Sequence, residues 1–120
     1  MVFDADAAPT DRAAFMAWYD DVTEWKEPHG YNDPAVTTPK LRTWYDAIAA
    51  SFPNMNGDVP DEDYDNLRLT DYSIGQHAIY AAFAWSQAED AYRTVKRLAE
   101  ECGVGFFDVS ADDGDILRPS

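Results

Sequence analysis

Apolar positions in the chain fall into stretches of helical period separated by runs of strand-forming residues. Phe15, Trp18, Tyr19, Val22 and Trp25 recur at i, i+3, i+4, i+7 and i+10, the stripe of an amphipathic helix. Thr10 or Asp11, following Pro9, is placed to accept the first free amide hydrogens, and Pro28-His29-Gly30 closes the segment. Leu41, Trp44, Tyr45, Ile48 and Phe52 repeat the stripe behind Thr38-Pro39, a cap followed by a proline in the first turn, and Pro53 stops it. Both stripes read as core, and the two helices are expected to pack as a pair. Ser86-Gln87-Ala88-Glu89 has the form of a capping box for a third helix. Ala88, Tyr92, Val95, Ala99 and Cys102 would be its buried side, and Gly103 is positioned to end it.

The intervening stretches predict strands. Val2-Phe3-Asp4 is a short first one, and Leu67 to Ile74 and His77 to Trp85 are rich in strand formers. Gly75-Gln76 between them suits a two-residue hairpin turn. The nearly unbroken apolar run His77 to Trp85 reads as a central strand covered on both faces. Val104 to Ser110 and Ile116-Leu117 follow, joined by a tight turn at Asp113-Gly114. The order is βααββαββ. It predicts one α+β domain over 1–120, with a mixed or antiparallel sheet and the helices on one face, a ferredoxin-like variant with a split first helix and a terminal hairpin.

Composition adds a tension. Leu, Ile, Val and Phe supply 22 of the 120 residues, and the net charge is −14, a combination that approaches the disordered class. Four Trp and seven Tyr resolve it, because each ring buries on the order of 150–250 Å²; a folded domain with an aromatic core is expected. Nine Lys and Arg against 23 Asp and Glu argue against direct binding of nucleic acid and against docking on an anionic membrane. No apolar run approaches the ~20 residues of a membrane span. The start, MVFDADAAPT, lacks the regions of a signal peptide, so a cytoplasmic protein is expected. A lone Cys102 excludes an internal disulfide and a thiolate zinc cluster.

Motifs for chemistry fail one by one. Asp61, Asp63 and Asp65 alternate like the start of a calcium loop, but its sixth and twelfth places hold Asn66 and Tyr72 instead of glycine and glutamate. Gly103-Val104-Gly105 follows a helix and enters a strand, the reverse of a dinucleotide loop. Cys102 falls at a helix end, where the dipole disfavours a thiolate, and His77 reads as an ordinary strand histidine. No catalytic residue, metal or cofactor is therefore expected.

The charge remains as the signal. Asp58, Asp61, Glu62, Asp63 and Asp65 crowd one loop with Asp71 after it, and Asp112, Asp113 and Asp115 crowd a turn. Tyr64 and Tyr72 stand among these acids, and rings with carboxylates suit an interface that faces Arg and Lys. Trp25 and Tyr31 are further candidate rings. Two other readings fit the same residues: a salt-adapted acidic housekeeping domain, or a small enzyme or ligand-binding domain with a pocket near His77 and Trp85.

Asp71 to Gly75, Ile79 to Tyr92 and Gly103 to Ser110 resemble a group of small, mostly uncharacterised bacterial proteins that carry no established activity. In size and acidity the chain is also similar in type to immunity proteins that neutralise toxins of interbacterial competition. That second resemblance implies a cytosolic protein that masks a toxin domain without performing chemistry. The leading expectation is thus an inhibitor that occludes a basic toxin domain, such as a nuclease, through the acids of residues 58–71 and 108–115.

Overall fold

Val2 and Phe3 are wholly buried, and as β1 (Val2–Phe3) they form the central strand of the protein. A computed structural model describes residues 1–24, 31, 34–55, 67–108 and 116–118. Around β1 lie β2 (Asp71–Ile74), β3 (Ala78–Ala82), β4 (Gly105–Phe107) and β5 (Ile116–Leu117). They form a five-stranded sheet in the order β2-β3-β1-β4-β5, with every pairing antiparallel. Three α-helices complete the α+β architecture among the described residues: α1 (Arg12–Val22), α2 (Pro39–Ala49) and α3 (Ala88–Cys102).

The strand register decides which helix covers which face. Val2 lies opposite Ile79 on one side and Phe106 on the other, so these three point to one face. There they join Leu41, Trp44 and Ile48 of α2 and Ala91, Val95, Leu98 and Ala99 of α3 in one core. Phe3, Ala78 and Phe107 point the opposite way and pack with Phe15 of α1. The expectation of all helices on one face is therefore corrected, and so is the expected pairing of α1 with α2. An apolar stripe states that a helix buries one side, but not against which surface.

The second core is smaller and centres on the rings of Phe3, Phe15 and Phe107, with Met1, Ala8 and Ala78 around them. Phe15 stands edge-on to Phe3 at 5.0 Å and to Phe107 at 5.2 Å between ring centres. Of the stripe on α1 only Phe15 is buried; Trp18, Tyr19 and Val22 are half-buried. Asp11 caps this helix, its Oδ2 accepting the amide of Ala14 at 3.0 Å. Thr38 stands at the start of α2 without a side-chain cap bond, and Pro39 supplies the fixed φ of the first turn. The capping box at Ser86 to Glu89 does not form. Trp85–Gln87 makes a 3-10 turn, and α3 starts beyond it with no side-chain cap. Gly103 ends α3 at φ 72°, in the left-handed region that strains the backbone of residues bearing a Cβ.

The hairpin turn also moves by one residue. Ile74 pairs with Ile79, and the Gly75 amide donates to the Ala78 carbonyl at 2.8 Å, so Gln76 and His77 are the central pair. Tertiary bonds hold this turn: the Gln76 carbonyl accepts from the Thr38 amide at 3.2 Å, and the His77 carbonyl accepts from the Asp4 amide at 2.9 Å.

At the other end of β1 the Met1 amino group donates to the Phe107 carbonyl at 3.0 Å, while the Phe107 amide donates to the Met1 carbonyl at 2.8 Å. Burial, opposed weakly by the nearby Asp108, lowers the pKa of this amine from 8.0 to about 5. Between those values the unfolded chain holds a proton that the folded chain does not, so stability should fall as pH drops from 8 towards 5. The loss should reach at most about 4 kcal/mol. Urea midpoints of the free and Nα-acetylated chains, compared across that window, should diverge as pH falls; parallel curves would refute the assignment.

Candidate functional site

Most of the acid-rich surface expected from the sequence, Asp58, Asp61, Glu62, Asp63, Tyr64, Asp65, Asp112, Asp113 and Asp115, lies outside the described residues, as does Trp25. Of the residues expected at the site, Asp71, Tyr72, Tyr31 and Asp108 are described. Asp71, the first residue of β2, is exposed and borders a shallow cleft of 220 Å³ with Tyr19, Thr23, Ser73 and Tyr80. Tyr72 points to the opposite face and is 2% exposed. Its hydroxyl donates to the Phe52 carbonyl at 2.6 Å, its ring meets Tyr45 edge-on at 5.2 Å, and burial raises its pKa. Tyr72 is thus a core residue and not an anchoring ring of a surface. Alternation along a strand puts neighbours on opposite faces, so Asp71 and Tyr72 could not both face one partner. Tyr31 is half-buried, and its carbonyl accepts from the Ile74 amide at 2.8 Å, which ties the outer edge of β2.

The expected pocket near both His77 and Trp85 divides. His77 immediately precedes β3 and Trp85 follows its end, so the length of the strand separates them. The His77 Nδ1 is buried without a hydrogen-bond partner and stands 4.0 Å from Asp4 Oδ2. Cys102 packs against the α2–α3 core, and its thiol pKa is raised by burial and then by Glu101, the reverse of what a nucleophilic thiolate needs. Among the described residues no grouping of His, Cys, Asp or Glu could hold a metal ion, and no helix is long and apolar enough to cross a membrane.

A cavity does open beside Trp85. Pairing of β3 stops at Ala82, the chain leaves the sheet through Phe83 and Ala84, and the 3-10 turn carries Trp85 outward before α3 begins. Trp85 is 94% exposed. Below it lies a space of about 380 Å³ between the sheet and the first turns of α3. Val2, Ile79 and Phe106 contribute from the sheet, and Tyr92 and Val95 from the helix. Tyr92 is 40% exposed and stacks edge-on against Phe106 at 5.5 Å. Asp108 supplies a carboxylate to the lining. The positive end of the α3 dipole is already met by Glu89 and Asp90, which pair with Arg93 and Arg68.

Trp85 and Tyr92 are the residues that sequence reasoning misplaced. The first was read as the end of a strand and the second as helix core. The signal available was position: a tryptophan directly before a helix start is carried outward when strand pairing ends earlier. Comparison of the chain with known protein families, curated proteins and solved structures finds no match. The surface is therefore read from its own chemistry.

Proposed function

We propose that this chain is an acidic inhibitor of the immunity type, which binds a basic toxin domain in the cytoplasm and blocks it by occlusion. The observation that carries this reading is the charge. If every Lys and Arg served one carboxylate, fourteen acids would remain with no cation of their own chain. Such an excess destabilises a folded protein by self-repulsion, and a cationic partner relieves it. The carboxylates of Asp58, Asp61, Glu62, Asp63, Asp65, Asp71, Asp112, Asp113 and Asp115, with the ring of Tyr64, would pair with the cations that a toxin uses to hold substrate phosphates. No step of bond chemistry is assigned to the chain. The arrangement of α2, α3 and the strands β1 to β4 supports a ferredoxin-like variant, with β5 appended and α1 added on the far face.

Two measurements test the proposal. Where a cationic, toxin-like domain is encoded beside this chain's gene, co-expression of the chain should restore growth to cells that make the domain. Converting Asp61, Asp63 and Asp65 together to Asn should slow association by about tenfold at low salt and flatten its salt dependence. Growth that is not restored, or association rates that ignore the triple change, would refute the reading.

A further inference from the structure

We infer that the cavity beside Trp85 receives an apolar side chain from a partner segment that carries lysine or arginine next to it. This inference rests on the binding reading above and gives it a contact point. The cavity, at about 380 Å³, has room for one large apolar side chain or two small ones, and lies within the range of binding pockets. Its walls are aliphatic and aromatic, so it favours an apolar occupant. Trp85 stands 94% exposed at its mouth. An aromatic ring of that size left in water has a large area to bury on contact, and tryptophan is the residue type most enriched at interface anchor points.

Charge selects among occupants. Among the described lining residues the charged side chain is that of Asp108. Glu89 and Asp90 in the adjoining first turn of α3 are matched by Arg93 and Arg68, and Lys96 lies over the outer ring of Tyr92. The local choice of a cation therefore rests on Asp108 and on the net charge of −14. The Met1 amine, which also borders the space, is held neutral near pH 7 by its lowered pKa of about 5. A second copy of this chain would bring −14 against −14, and phosphate groups would meet the same repulsion. A cationic polypeptide meets attraction. The apolar residue would enter between Phe83, Tyr92 and Val95, Trp85 would cover it, and a flanking cation would lie beside Asp108.

The test is a titration of the full ¹⁵N-labelled chain, followed by NMR, with the peptide acetyl-Lys-Lys-Leu-Phe-Lys-Lys-amide. Two further peptides serve as comparisons, one with Ser-Ser in place of Leu-Phe and one with Glu in place of every Lys. The first peptide should shift the indole N–H of Trp85 and the amides of Tyr92 and Val95. Each comparison peptide should bind about tenfold more weakly or worse. Trp85→Ala should weaken the first peptide by about tenfold. Ala88→Phe, an exposed lining position, should block the cavity and have a similar effect without disturbing the core. Equal binding of the two lysine peptides, unmoved by either substitution, would overturn the cavity's role while leaving the charge-driven reading intact. Preference for the glutamate peptide, or no binding of either lysine peptide, would overturn both. Binding of the Leu-Phe segment whatever its flanking charge would mark the cavity as a general apolar site and overturn the assigned partner.

Discussion

Gly105→Ala should cost the protein about 3 kcal/mol, a large share of the 5–15 kcal/mol typical of a domain. Gly105 lies directly opposite Phe3 across the β1–β4 pairing. A methyl group at this position would sit 2.3 Å from Phe3 Cζ and 2.8 Å from Cε1, far inside contact distance. The ring has little room to retreat, because Phe15 meets it edge-on at 5.0 Å and Trp18 at 6.1 Å. The missing Cβ at residue 105 is therefore what lets the central phenylalanine lie flat across its neighbouring strand. Urea unfolding measures the cost, and a second substitution isolates the cause. Phe3→Leu in the Gly105→Ala background should recover at least about 1 kcal/mol relative to the sum of the single effects. Strict additivity would mean that the ring is not the obstacle.

Trp44→Ala should be comparably severe, at about 3–5 kcal/mol. Trp44 is wholly buried, and its indole N–H donates to the Val95 carbonyl of α3 at 3.3 Å. Removing it takes out the largest ring between α2 and α3 and enlarges the neighbouring cavity, of which Trp44 is also a wall. Trp85 borders the same space but faces water, so Trp85→Ala should change stability by no more than about 0.5 kcal/mol. Two tryptophans on one cavity would then differ in effect by several kcal/mol, and the comparison can be read from urea midpoints of both variants. Equal effects would contradict the burial assigned to them.

The stripe Leu41, Trp44, Ile48 and Phe52 was legible in the chain because helical period and burial coincide there. The left-handed end of α3 at Gly103 was legible for a chemical reason, since few other residues tolerate that backbone. Three things were not legible, each because the deciding contact is remote in sequence. The face chosen by α1 depends on the register of β1 with β3 and β4. The hairpin turn is centred by bonds from Asp4 and Thr38 to the carbonyls of His77 and Gln76. The run His77 to Trp85 is apolar almost throughout, so its composition could not mark where pairing ends and Trp85 turns outward. As for the site, Asp71 is exposed on β2, whereas Tyr72, its neighbour, belongs to the core.

The position of β1 also bears on how the chain reaches this state. One flank of β1 is β3, at Ala78 and Ile79, and the other is β4, at Gly105 and Phe106, so both partners are made long after it. The middle of the sheet must therefore wait while about a hundred residues are translated. Contacts so distant along the chain make for slow closure, and a nascent chain halted before residue 105 can pair β1 with β3 but lacks β4, and with it the Phe107 ring that packs against Phe15.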